Sequence, residues 1–167
     1  MNLVFSKQKR GSSVCDIDSN LLALSCEESF LSWDMFKQNG LSNQTDSPAP
    51  VSCAHEEERV SWTCRGIGLS GYHKTLVWSW LVAELAKVAA LSGDRVTAEK
   101  YLMFLESCAL RDGTVAEIYE PQRPNKMFQT LFYKSEGPFS RGCAKTIEAI
   151  EVYRKLYPIS RDIPYES

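Results

Sequence analysis

The chain has 167 residues, 44% of them hydrophobic, with a formal net charge of −2. That length suits one domain with a real core, and the positive charge is not gathered into a face, which argues against nucleic acid as a partner. The longest apolar run, Leu76 to Leu91, is interrupted by Ser79, Glu84 and Lys87, which argues against a membrane span.

The opening "MNLVFSKQKRGSS" lacks the apolar centre of a secretory signal, so residues 1–14 read as a tail and a cytoplasmic location is expected. Asp18 or Ser19 can cap a helix, or two short ones, through "DSNLLALSCEESFLSWDMFKQNG", with Asn39-Gly40 as the stop. A Ser-, Pro- and Gly-rich stretch follows, "LSNQTDSPAPVSCAHEEERVSWTCRGIGLSG", with "RVSW" as a short strand candidate. Loops of that length inside a compact domain are uncommon and often functional.

The next segment, "TLVWSWLVAELAKVAALSG", is apolar on most faces and is expected to form a helix buried on several sides. Asp94 in the turn "SGDR" can cap "VTAEKYLMFLESCAL". The inward stripe expected there is Val96, Tyr101, Leu105 and Cys108, flanked by Ala98, Leu102 and Leu110. So short a turn makes the two helices an antiparallel hairpin. After "DGTVAEIYEP" and the polar "QRPNKMFQTLFYKSEGPFS" comes a last helix, "RGCAKTIEAIEVYRKLY". Its expected inward residues are Ala144, Ile147, Ile150, Tyr153 and Leu156; Pro158 stops it, and residues 158–167 form a second tail. The fold class is all-α with elaborate loops, in one domain over 15–157.

Glu117 is the unusual residue of the turn segment. It stands among Val115, Ala116, Ile118 and Tyr119 between a turn-forming Asp-Gly and Pro121. A carboxylate held against a core either finds a partner or has a task, and a capped or salt-bridged structural glutamate is the simpler reading. The six cysteines form no Cys-x-x-Cys pair, and the two histidines, His55 and His73, complete no zinc spacing. No metal or organic cofactor is implied. Free thiols are expected, with no catalytic cysteine, and the sequon at Asn43 has meaning only in a secreted chain.

The blocks "DSNLLAL", "GYHKTLVWSWLVAELAKVAALSGD", "GTVAEIYEP" and "RGCAKTIEAIEVYRKL", in this order, resemble the six-hairpin glycosidases. The likeness is greatest to the C-terminal part of the amylo-α-1,6-glucosidase domain of glycogen debranching enzymes. It implies an (α/α)6 toroid of helical hairpins with a funnel-shaped active site, and inverting hydrolysis of α-glucosidic bonds by two carboxylates. On this resemblance Glu117 is the general base, with Glu120 as the alternative if the register slips. Tyr72, His73 and Trp78 line the funnel as substrate-binding residues, and Asp18 and Asn20 support it. Trp33 and Trp62 have faces that can stack on a sugar, although packing is the simpler role for each. Trp78 and Trp80, two apart on a helix, point to different faces, so only one of them can line the funnel, and the resemblance places Trp78 nearer the sugar. The last helix carries "AKTIEA" after its Gly-Cys, where family members often have Gln-Ala-Trp.

An inverting site needs a second carboxyl about 6.5–9.5 Å from the first. The family draws that acid from an earlier hairpin, and a full toroid of about twelve helices at ~11–12 residues each, plus loops, exceeds this chain. The chain therefore reads as the C-terminal part of an incomplete toroid, with α-glucan or gluco-oligosaccharide, and the missing N-terminal part of the toroid, as expected partners. In such a fragment the apolar sides of Leu76 to Leu91 are expected to be uncovered. The alternative is a catalytically inactive helical fragment that binds carbohydrate or a partner protein.

Overall fold

The structure, a computed structural model, describes residues 22, 24–25, 32–37, 62–69, 76–120 and 126–158. Tyr72 and His73, together with Asp18 and Asn20, lie outside the described residues. In chain order the elements are α1 (Trp33–Phe36), α2 (Trp62–Gly66), β1 (Val77–Trp78), α3 (Ser79–Leu91), α4 (Arg95–Asp112), β2 (Ile118–Tyr119) and α5 (Ser140–Leu156). The described part is mostly helical, with β1 and β2 forming one two-stranded antiparallel sheet. Among the described residues no helix is long and apolar enough to cross a membrane.

Helix α3 is the centre. Every residue from Ser79 to Ala90 is buried, and α4 and α5 pack along its sides. A helix apolar all round has no side to offer water, so it folds only where other elements cover it. The expected exposure of Leu76 to Leu91 is thus not found: Leu76 to Ala90 are covered by the chain itself, and Leu91 alone is exposed. The helix also starts later than its apolar pattern suggests. Val77 and Trp78 are extended because they pair with Tyr119 and Ile118, and β-branched and aromatic residues suit a pleated strand.

At the other end, Gly93 takes a left-handed φ of 81° in the turn and Asp94 caps α4, accepting from the Thr97 N–H at 3.1 Å. Asp94 also accepts from Trp33 Nε1 at 3.0 Å and Lys37 Nζ at 2.9 Å, which fastens α1 to the corner of the hairpin. Trp33 and Phe36 are buried there and stack with centroids 5.6 Å apart, a packing role for Trp33. Trp62 is 91% exposed and begins α2, while the rest of the strand candidate "RVSW" lies outside the described residues.

The buried line of α4 is Ala98, Tyr101, Phe104, Leu105 and Cys108. Val96 and Leu110, expected inside, are 77% and 79% exposed because they lie across the helix from that line. The inward face of α5 also differs from expectation. Gly142 and Ala149 are buried, whereas Ala144, Ile147 and Leu156 are exposed and Ile150 and Tyr153 are half-buried. Small residues win because they let α5 come close to α3. A Cβ at Gly142 would overlap the Ser79 hydroxyl.

The α3–α5 contact also holds four charges. The Glu84 side chain is fully buried, with Lys87 Nζ 2.6 Å from one oxygen and Lys145 Nζ 3.0 Å from the other. Both lysines reach Glu148 at 2.8 Å, so signs alternate around the set. Neither Glu84 oxygen makes a well-aligned hydrogen bond, so its charge is balanced by these ion contacts. Removing one partner of such a set strands a buried charge.

Two consequences are measurable. Gly142→Ala overpacks the α3–α5 contact and should lower stability by about 1–3 kcal/mol in chemical denaturation; an unchanged midpoint would show that the helices can move apart freely. Burial pushes the Asp94 carboxyl up, but bonds from Lys37, Trp33 and Thr97 outweigh it and hold it down to about 2, below the usual 3.8. A carboxylate with a depressed folded pKa stabilises above the unfolded value and loses that stability as pH falls through the folded one. Unfolding free energy should therefore drop by about 2 kcal/mol between pH 5 and 2 on account of Asp94, and Asp94→Asn should remove that part of the pH dependence.

Candidate functional site

The site is built where the α4–α5 connection crosses the start of α3. Gly113, with φ 69°, ends α4 in a left-handed conformation that turns the chain sharply, as the Asp-Gly pair suggests. The segment that follows then runs past β1. Val77 lies opposite Tyr119 and Trp78 opposite Ile118. One rung further on, the Ser79 N–H donates to the Glu117 carbonyl at 3.1 Å. That bond satisfies one of the open amides at the N-terminus of α3.

A second layer folds back from the other side. Tyr119 bridges to Met127 and Gln129 to Lys134, which brings residues 126–136 against β2. The Glu117 N–H donates to the Glu136 carbonyl at 2.8 Å, and the Ile118 N–H donates to the buried Ser135 hydroxyl at 2.9 Å. Both neighbouring layers thus hold the Glu117 backbone. Its side chain is half-buried, and its Oε2 accepts from the Tyr133 hydroxyl at 2.7 Å. A half-buried carboxylate on so constrained a backbone, with one oxygen held by a phenol, has its direction set before any ligand arrives.

Beneath the carboxylate the residues are inert. The Tyr119 hydroxyl accepts from the Ala116 N–H at 2.9 Å and sits beside Cys108. Burial pushes the Cys108 thiol up to about 11 and the Tyr119 hydroxyl higher still, so both stay neutral at physiological pH. Cys108 is therefore a packing residue. Trp78 is 9% exposed beside Ile118, while Trp80, equally covered, lies under the Arg141 guanidinium at 3.8 Å. The two indoles are divided between strand and helix, not between two faces of one helix. Glu120 forms an ion pair with Lys126 at 3.2 Å and donates its backbone N–H to the carbonyl of the same residue.

Of the residues singled out from sequence, Glu117 and Trp78 stand on neighbouring rungs of one ladder, so their side chains leave it on opposite faces, with Trp78 on the side of Ile118. Tyr133, Ser135 and Glu136 were not anticipated. They lie in a polar loop with no readable periodicity, and only the folding back of that loop reveals them. Among the described residues no cluster of His, Cys, Asp and Glu could hold a metal ion. Comparison with protein-family models, with curated proteins and with solved structures finds no match to the chain.

The support beneath Glu117 can be tested without any ligand. Ser135→Ala leaves the Ile118 N–H buried without its acceptor and should cost about 1–3 kcal/mol, whereas Tyr133→Phe takes one hydrogen bond from a carboxylate that water can reach and should cost about 1 kcal/mol or less. Equal losses in urea denaturation would contradict the two-layer arrangement.

Proposed function

We propose that this chain is the C-terminal part of a glycoside hydrolase of the debranching type, an inverting six-hairpin enzyme acting on α-glucosidic bonds, with Glu117 as its general base. What carries the reading is the Glu117 carboxylate itself. It is half-buried, fixed through its backbone on both sides, and bonded to Tyr133. A base that activates water needs a carboxylate held rigidly next to the sugar, and this loop provides that. Glu120, tied to Lys126, is the poorer candidate.

The general acid belongs, on this proposal, to a hairpin of the toroid outside this chain. Glu148, Glu99 and Asp94 are each engaged by lysine or arginine, which favours the ionised form and not the protonated one an acid needs. Cys108 and Cys143 are free thiols, which suits a reducing, cytoplasmic setting for an enzyme of α-glucan breakdown. Tyr72 and His73, on the segment leading into Trp78, would bind sugar hydroxyls. No metal or organic cofactor enters the proposed chemistry.

The test uses a longer, active form of the protein. Glu117→Gln keeps shape and one acceptor but cannot take a proton, so turnover should fall on the order of a hundredfold or more with KM little changed. Glu120→Gln should have a much smaller effect. In the chain by itself hydrolysis of α-1,6-linked glucosides should be undetectable, while maltose or isomaltose still alters indole fluorescence and Trp78→Ala removes most of that response. A fully active Glu117→Gln enzyme would remove the base assignment. Robust turnover by the chain alone would overturn the argument that its acid lies elsewhere.

A further inference from the structure

The loop that folds back onto β2 closes in a tight turn from Thr130 to Tyr133. Gln129 bridges to Lys134 just outside the turn, and within it the Thr130 N–H donates to the Tyr133 carbonyl at 2.7 Å. Leu131 and Phe132 form its tip and are exposed. A short exposed turn opens readily unless something fixes it.

The Thr130 hydroxyl does so. Its oxygen accepts from the Tyr133 N–H at 3.0 Å and from the Phe132 N–H at 3.3 Å. Its proton goes to the Ile67 carbonyl at 2.9 Å, 63 residues earlier in the chain. A hydroxyl has one proton and two lone pairs, so this one is fully used. Ile67 is itself placed at the end of α2, where its N–H donates to the Thr63 carbonyl at 3.1 Å. The next residue, Gly68, has a left-handed φ of 79°, and a Cβ there would lie 3.0 Å from the Thr130 methyl carbon. Glycine meets both demands, the backbone angle and the close approach.

Tyr133 carries the connection on. Its ring lies against Phe128 with centroids 6.0 Å apart, and its hydroxyl donates to Glu117 Oε2 at 2.7 Å. Phe128 in turn donates its N–H to the Ile118 carbonyl at 3.0 Å, beside Glu117. A hydrogen bond directs a carboxylate only as firmly as its donor is held. Here Thr130 holds the donor's backbone, and the end of α2 holds Thr130.

We propose that Thr130 is a positioning residue for Glu117: its hydroxyl ties the Tyr133 backbone to the end of α2, and through the Tyr133 phenol it sets the direction of the carboxylate. Its part in catalysis rests on Glu117 being the general base, whereas the mechanical link does not.

Carbodiimide labelling of the full chain with glycine ethyl ester, followed at each glutamate by peptide mass spectrometry, tests the link without any substrate. Tyr133→Phe should raise the rate at Glu117 about two- to tenfold, the range that loss of one hydrogen bond allows. Thr130→Val keeps the shape without the hydroxyl and should also raise the Glu117 rate, although the bonds it removes are those to Ile67, Phe132 and Tyr133. Thr130→Ser should restore the wild-type rate, and the rates at Glu106 and Glu120 should stay constant. Combined with Tyr133→Phe, Thr130→Val should add nothing further. An unchanged Glu117 rate in Thr130→Val would overturn the proposal. So would additive effects of the two substitutions, or an equal rise at all three glutamates, which would mark general loosening. In a longer, active form Thr130→Val should lower kcat with KM unchanged, and Thr130→Ser should restore it; an unchanged kcat beside faster labelling would overturn the positioning role. A fully active Glu117→Gln enzyme would remove the base reading, while labelling of the chain would still decide the link.

Discussion

Helix α3 cannot present any side to water, and the other elements are arranged to satisfy that requirement. Its residues from Ser79 to Ala90 are all buried, so α4 and α5 must flank it and the segment after α4 must cross its N-terminal end. Gly142 and Ala149 on α5 follow from the same demand. Larger residues at those positions would hold α5 off α3 and let water reach the helix between them. The Glu84, Lys87, Lys145 and Glu148 set sits at that contact. Buried ion pairs add little net stability, but they penalise any other register of α5 on α3, in which Glu84 would lose its lysines.

The site around Glu117 depends on this arrangement through the backbone. The N-terminus of α3 leaves amides open, and the carbonyl of Glu117 accepts one of them. The bond that completes the helix therefore also places the carboxylate's backbone. From the other side, Glu136 and Ser135 supply the acceptors that the Glu117 and Ile118 amides require. With its main chain engaged in both directions, the residue has little freedom beyond its own side-chain torsions, and the Tyr133 hydroxyl restricts those. A structural role and a chemical one share the same hydrogen bonds, so disturbing the ladder would disturb the carboxylate.

The outer surface of α4 and α5 behaves differently. Val96, Met103, Leu110, Ile147 and Leu156 are exposed although each is large and apolar. On a helix that buries a single line of residues, hydrophobic side chains elsewhere go uncovered unless something else packs there. Met103 and Leu110 line a groove between α4 and α5 together with Leu102 and Ile150; Val96, Ile147 and Leu156 lie outside it, and singly exposed apolar residues need no explanation.

The sequence alone established the mostly helical character, the α3–α4 hairpin and the Asp94 cap, because these rest on local chemistry: a long apolar run broken by only a few polar residues, a short turn and a side chain three residues from its amide. Glu117 was also visible, since a lone acid among apolar residues after Asp-Gly is a local contrast. The start of α3 was not visible. Val77 and Trp78 continue its apolar pattern, and only pairing with β2 makes them extended. Nor could periodicity decide which side of α5 faces inward. Ile147 and Leu156 lost to Gly142 and Ala149, because close approach to α3 was worth more than burying two larger side chains on a face that α3 does not meet. Tyr133 and Ser135 carry no local signal at all; their roles come from a loop folding back onto distant residues, and such a contact exists only once the tertiary structure has formed.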